Sequence, residues 1–121
     1  MAEVIERFFL TLALVFLLAS PTWAFKFASG SYTGDAADSR NIDISDTTSP
    51  SVADFQPDLV IIKCNTTQLA VFKTSSMAGD STLLLNTTGT LLTDVIQSFA
   101  STGFQVGTRA RSNASGVTCY Y

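Results

Sequence analysis

The chain has 121 residues, of which 46% are hydrophobic and only 14% are charged, and it contains no histidine. This composition excludes a disordered chain, because disordered chains are poor in apolar residues and rich in net charge. A net charge of −3 argues against a nucleic-acid partner, which needs a basic surface to replace phosphate counterions.

Residues 1–24 have the three-part form of a secretory signal peptide. Arg7 precedes an apolar run from Phe8 to Ala19, and Thr22-Trp23-Ala24 offers small residues for cleavage after Ala24. The run has twelve residues, which is short for a membrane span of about 20 residues. A cleaved signal is therefore predicted, with an uncleaved membrane anchor as the alternative and a buried core helix as a third interpretation. The signal and the anchor both place the rest of the chain, a single domain of residues 25–121, outside the cytoplasm.

The first half of this domain alternates short strands with turns. Phe25–Phe27 predicts a strand, and residues 30–35 predict the turn that follows it. A second strand is predicted at Asn41–Ile44, before an exposed loop around Pro50. Leu59–Ile62 is the strongest strand in the sequence, and its continuous apolar character predicts burial on both faces.

The second half continues this pattern. Strands are predicted at Leu69–Lys73 and Ser81–Leu85. The apolar residues of Leu91–Phe99 fit a helical face as well as a strand, but the Ser and Thr content and Gly103 favour a β-hairpin. Val117–Tyr121 is the last predicted strand. Short strands at 8–12-residue intervals indicate an all-β fold, a single small antiparallel β-sandwich.

Cys64 and Cys119 lie inside two of the predicted strands, Leu59–Cys64 and Val117–Tyr121. An even number of cysteines in an exported chain permits a disulfide, and the two can meet if their strands are neighbours. The alternative is a pair of small buried thiols. We predict the disulfide.

Acidic residues are concentrated between positions 35 and 58, which hold six of the ten in the chain. Asp35, Asp38, Asp43 and Asp46 offer loop oxygens of the kind that Ca²⁺ prefers, although they lack the spacing of an EF-hand. Aspartate is also an ordinary turn residue, so solvated turn acids are the competing interpretation. Calcium is the only cofactor that the sequence suggests.

The sequence contains few of the residues and motifs that other functional sites need. The chain has no histidine to activate a serine, no Gly-x-Ser-x-Gly elbow and no Cys-x-x-Cys pair, so we expect no enzyme activity. Tyr32 is the one candidate for stacking on a sugar ring, since the domain lacks tryptophan. Arg109 and Arg111 form a small basic spot in a loop, interpreted as a solvated surface, with an anion site as the alternative.

Three sequons begin at Asn65, Asn86 and Asn113 and match the N-glycosylation pattern. In a bacterial or phage protein the same residues are simply turn formers.

The chain also resembles a known family. Residues 30–35, Phe55–Lys63, Ser98–Gly107 and Asn113–Tyr120 are similar, in this order, to a domain of unknown function found in phage virion proteins and bacterial surface or secreted proteins. The resemblance covers nearly all of residues 25–121. It implies a jelly-roll-like β-sandwich that accompanies lectin-like or tail-fibre domains and has no established activity. Family members continue past the final aromatic strand, so it also implies a truncated C-terminus. The two cysteines are not part of the family pattern.

These observations predict a non-catalytic, secreted or surface-displayed structural or interaction module. The alternative is an adhesin-like module that binds a carbohydrate or depends on calcium, through the loops around Tyr32 and residues 35–58. The expected partner is a protein or a glycan, and a membrane only if the N-terminal segment is uncleaved.

Overall fold

The computed structural model describes residues 1, 4, 25–44, 55–86 and 89–121. Apart from Met1 and Val4, the predicted signal segment lies outside the described residues, and so does the predicted loop around Pro50. Among the described residues, no helix has the length and apolar character needed to cross a membrane.

Eight short strands and one helical turn make up the described fold. In chain order they are β1 (Ser31–Thr33), β2 (Arg40–Asp43), β3 (Leu59–Cys64), β4 (Val71–Thr74), β5 (Leu83–Leu84), β6 (Ile96–Ala100), β7 (Gly103–Val106), α1 (Ala110–Asn113) and β8 (Thr118–Tyr120).

The strands form two antiparallel sheets. The larger has the order β1-β8-β3-β4-β5 and the smaller the order β2-β7-β6. The two sheets make the small β-sandwich that the sequence predicts. Thr82 links them, because its hydroxyl donates to the carbonyl of Ile96 (3.0 Å) and accepts from the Ile96 N–H (3.1 Å).

The core lies between the sheets and draws on both. Tyr32 and Tyr121 pack against Phe104 of the smaller sheet, with edge-to-face ring centroids 6.4 Å and 5.4 Å from the Phe104 centroid. Such pairs stabilise a core beyond the area that they bury. The buried hydrophobic residues are Ile42, Ile44, Val60, Ile62, Cys64, Val71, Val95, Ile96, Phe104, Val106 and Cys119.

Strand β3 corrects one prediction. It is central in its sheet, but its burial alternates, and Val60 and Ile62 are buried while Leu59 and Ile61 are 53% and 43% exposed. Burial on both faces was therefore wrong. A continuous apolar run does not by itself distinguish a strand covered on both sides from one covered on a single side. Only one layer packs on β3, so alternate apolar side chains stay in solvent.

The position of strand β1 corrects a second prediction. Phe25–Phe27 forms no strand, and Phe25 and Phe27 are 91% and 67% exposed. The strand lies at Ser31–Thr33 instead, inside the predicted turn, because β8 pairs there. Backbone hydrogen bonds between Gly30 and Tyr121 extend that pairing.

The disulfide prediction is confirmed. Cys64 and Cys119 face each other directly across the antiparallel β3–β8 pair and are bonded. Both are almost completely buried, at 2% and 0% exposure. The β6–β7 hairpin is confirmed too, whereas α1 is an element that the sequence analysis does not predict.

Candidate functional site

The most concentrated polar structure in the described part of the chain surrounds the buried side chain of Asn113, at the end of α1. Its amide nitrogen donates to a carboxylate oxygen of Asp35 (3.1 Å) and to the carbonyls of Ala37 (2.8 Å) and Gly107 (3.1 Å). Its amide oxygen accepts from the Asp35 N–H (3.0 Å) and from Arg40 (3.2 Å). We call Asn113 with these four partners the polar hub. It joins the β1–β2 loop, β2, the segment after β7 and α1.

The hub also sets the charge of its exposed edge. The Arg40 guanidinium pairs with the Asp35 carboxylate at 3.4 Å. The hydrogen bond from the Ala37 N–H is the main cause that holds the pKa of Asp35 below its usual value, and Asn113 and Arg40 act in the same direction. Asp35 is therefore a fixed, ionised anchor for its own loop.

Tyr32 lies beside the hub but does not offer an open ring. It faces inward from β1, and its hydroxyl donates to the backbone carbonyl of Ser112. One ring face is near Arg40, with the guanidinium carbon 5.4 Å from the ring centroid. Burial raises the pKa of the Tyr32 hydroxyl above its usual value. The ring thus packs within the protein, and the predicted role in sugar stacking has no supporting geometry.

Two glycines allow these segments to approach closely. A Cβ on Gly34 would lie 2.1 Å from the backbone oxygen of Ala114, and one on Gly107 would lie 2.0 Å from a carboxylate oxygen of Asp94. Any other residue at either position would push backbone or a fixed side chain aside.

The predicted calcium ligands do not come together among the described residues. Asp35 is in the hub, Asp38 accepts hydrogen bonds from Ser39 (2.8 Å) and Gln97 (2.8 Å), and Asp43 lies at the far end of β2. Asp46 is outside the described residues. In the described part of the chain, no three acidic or cysteine side chains are placed to hold a metal ion. A calcium site at these residues stays a prediction.

A second anchored carboxylate, Asp94, stands before β6 in the left-handed region (φ 62°). It accepts from the Thr108 hydroxyl, from the Thr108 N–H (3.2 Å) and from Gln97 (3.2 Å). The Thr108 hydroxyl is the main cause that holds the pKa of Asp94 below its usual value. Like Asp35, it fastens a loop.

Lys73 points into the sandwich from β4 and is only 3% exposed. Its ammonium donates to the carbonyls of Gly79 (2.6 Å) and Ser81 (2.9 Å). Burial lowers the pKa of Lys73, and the nearby Asp80 partly opposes that effect. Lys73 thus holds the β4–β5 loop against strand β4 through these two hydrogen bonds.

A further surface is apolar. On the side of the larger sheet that faces away from the core, Ile61, Phe72 and Leu83 stand side by side on three neighbouring strands. We call the outward positions of this sheet the outer face: Ser31, Thr33, Leu59, Ile61, Lys63, Phe72, Thr74, Leu83, Thr118 and Tyr120.

An apolar groove of about 560 Å³ adjoins this sheet, between the segments that contain Phe27 and Phe55. Its wall includes two charged residues, Lys26 and Asp58. The groove offers apolar surface and no catalytic constellation.

No protein-family model matches the chain, and no match exists among the curated proteins or the solved structures. The class is therefore defined by the fold alone: a small antiparallel β-sandwich with one disulfide. The resemblance to a phage and bacterial surface domain stays a prediction from sequence motifs.

In the sequence, Asn113 stands out only as the first residue of a sequon and of one segment in the family resemblance. Its role in the hub depends on segments up to 78 residues away in sequence, and no local pattern signals it.

Proposed function

We propose that this protein is a non-catalytic structural or interaction module, secreted or displayed at a surface, that contacts another protein chain through its outer face. The observation that carries the proposal is the apolar character of that face. Leu59, Ile61 and Tyr120 are 53%, 43% and 55% exposed. Contiguous exposed apolar surface is uncommon on monomeric proteins and typically marks a contact site.

The charges on the outer face also favour an apolar protein partner. None of its ten side chains is acidic. Its one cation, Lys63, donates to the carbonyls of Cys64 (2.9 Å), Thr66 (2.7 Å) and Gln68 (2.7 Å), so its charge is held against the β3–β4 loop. What remains for a partner is a row of aliphatic and aromatic side chains with threonine and serine at its margin. A surface of this kind gains free energy by burial against another apolar surface.

Site-specific photo-crosslinking tests the contact in the cells that produce the protein. A photoreactive phenylalanine analogue replaces Tyr120 on the outer face, and in a matched control it replaces the exposed Ser98 on β6 of the other sheet. We expect a protein adduct at position 120 only, and we expect Ile61→Lys to remove it while the circular dichroism spectrum stays unchanged.

Mass spectrometry of the adduct identifies the partner. A second copy of this chain or a different protein supports the proposal. Equal labelling at positions 120 and 98, or a lipid or glycan adduct at position 120, would overturn it.

Export is tested separately. Mass spectrometry of the protein recovered outside the cytoplasm should find Phe25 as the first residue. The intact chain in the membrane fraction would contradict cleavage and support an anchor.

A further inference from the structure

A cavity of about 240 Å³ lies beside α1. Two arginines contribute to its wall: Arg109 precedes α1, and Arg111 lies within it. The remaining wall consists of Gln68, Leu92, Val95 and Ala110. We call this cavity the arginine pocket. None of the outer-face side chains lines it, so it is distinct from the surface of the proposed function.

One donor of Arg111, a residue of the pocket wall, lacks an acceptor in the described part of the chain. The Nη1 atom of Arg111 is shielded from solvent and has no hydrogen-bond partner among the described residues. A buried donor without a partner costs about 1–3 kcal/mol, and more when it carries charge. Native proteins therefore rarely leave one unsatisfied unless water or a ligand completes it.

Among the described residues, no carboxylate pairs with this arginine. The ion pair found in the described part of the chain, Arg40 with Asp35, belongs to the hub. Asp94 interacts electrostatically with Arg109. Its oxygens, however, are already bonded to Thr108 and Gln97. The positive charge of Arg111 at this partly enclosed site therefore has no counter-ion among the described residues.

Two other wall residues have side chains that carry N–H donors. They are Arg109, which is exposed, and Gln68 of the β3–β4 loop. Guanidinium groups hold planar or tetrahedral oxyanions through paired N–H donors. Leu92 and Val95 exclude water from one side, which strengthens such a contact.

We propose that the arginine pocket binds one oxyanion group, a carboxylate, sulfate or phosphate carried by a ligand, with Arg111 as the central donor and Arg109 as a second donor. The pocket is smaller than the roughly 300–1,000 Å³ of ordinary small-molecule sites. It therefore takes a single charged group and leaves the rest of the ligand outside.

NMR titration of the full domain tests the proposal. Sodium sulfate, phosphate and acetate are added separately at constant ionic strength, with chloride as the reference, while the Nε–H signals of the arginines are followed. We expect a saturable shift of the Arg111 signal with at least one oxyanion and none with chloride. The oxyanion that saturates at the lowest concentration identifies the charged group.

Three variants make the result specific. Arg111→Gln should weaken the binding by at least about tenfold, the effect expected when a charge-assisted hydrogen bond is lost. Arg111→Lys keeps the charge and most of the aliphatic stem and should weaken it less, which guards against a merely unfolded variant. Lys26→Gln removes one positive charge elsewhere on the surface and should leave the affinity unchanged.

No saturable shift with any of the three oxyanions would overturn the proposal, since water would then be the partner of Arg111. Equal weakening in Lys26→Gln and Arg111→Gln would overturn it as well, because the binding would reflect net charge alone. Neither outcome bears on the photo-crosslinking of the outer face.

Discussion

Two connections hold distant parts of this small sandwich together, and they differ in every physical respect. The Cys64–Cys119 disulfide is covalent, lies in the apolar core and joins two neighbouring strands of one sheet across 55 residues of sequence. The polar hub is held by hydrogen bonds, lies at the end of α1 and joins β2 of the smaller sheet to the loop beside β1 of the larger one. The first restrains the unfolded chain, whereas the second exists only in the folded state.

Both connections are important because the domain is small. The buried core is small, and domains near this length gain little margin from hydrophobic burial alone. A crosslink within one sheet does not secure the other sheet, and the hub adds a connection between them to the hydrogen bonds of Thr82 with Ile96. We expect the loss of either connection to be severe, although the disulfide acts through the unfolded chain and the hub through the folded one.

The largest effect is expected from Asn113→Ala. The substitution leaves the Asp35 N–H and the carbonyls of Ala37 and Gly107 without their partner. Together these losses should lower the free energy of unfolding by about 4 kcal/mol. Urea denaturation measures this, with the exposed Asn65→Ala as the matched control. A loss below about 1 kcal/mol, similar to an ordinary surface substitution, would show that the hub is not a main stabilising feature.

The next largest effect is expected from Cys64→Ala combined with Cys119→Ala. Removal of the disulfide should cost about 3 kcal/mol, by release of the unfolded chain and loss of core volume. Hydrogen exchange should show weaker protection in both sheets, for every amide that exchanges through global unfolding, because the disulfide acts on the unfolded chain. A loss of protection confined to β3 and β8 would show instead that the disulfide acts within the folded sheet, and the contrast with the hub would be wrong.

Acid should loosen the hub before it affects the disulfide. Asp35 and Asp94 have folded pKa values below their usual range, so the unfolded chain binds more protons than the folded chain in acid. Their contribution is complete above the unfolded pKa of about 3.9 and is lost as the pH falls through the folded values. Denaturation midpoints measured from neutral to strongly acidic pH should therefore decline in this window.

Thr108→Val sharpens this test, because it removes the hydroxyl that donates to Asp94 and keeps the side-chain shape. An NMR titration should show the pKa of Asp94 closer to its usual value in the variant, with Asp35 unchanged. An Asp94 titration that does not respond would show that the hydroxyl is not the cause.

The smallest effect concerns the loop that the hub holds. Ala36 is in the left-handed region (φ 58°), which costs an L-residue about 1–2 kcal/mol and costs glycine nothing. Glycine loses about 0.5–1 kcal/mol more backbone entropy on folding, so Ala36→Gly should stabilise the protein by only about 0.5 kcal/mol. The neighbouring Ala37→Gly, which has no such strain to relieve, should destabilise it. Thermal unfolding of the pair shows whether their signs differ.

The sequence predicts the features that depend on neighbouring residues better than those that depend on distant segments. Short apolar runs bounded by turn formers identify β3, β4, the β6–β7 hairpin and β8, because both signals are local properties of the sequence. The cysteines fall in two of these strands, so their pairing needs only one assumption about neighbours. The position of β1 could not be predicted, since residues 31–33 form a strand only where β8 pairs with them.

The polar hub is beyond local reasoning for the same reason. Asparagine in an Asn-Ala-Ser sequence ordinarily indicates a solvent-exposed turn. Asn113 is buried because three other segments converge on it, and each of them is unremarkable in isolation. The unpaired Nη1 of Arg111 is equally hidden, since only packing shows whether an arginine meets water or an enclosed cavity.

The burial of Asn113 has a consequence for modification of the chain during synthesis. A glycan attaches to the same side-chain nitrogen whose two hydrogens the hub uses. Glycosylation at this sequon and completion of the fold therefore exclude each other, whereas the exposed Asn65 and Asn86 carry no such conflict. In a host that glycosylates exported proteins, an enzyme that reaches residue 113 before α1 forms would divert that molecule from folding. The yield of native protein would then depend on the rate of glycosylation at Asn113 relative to the rate of folding.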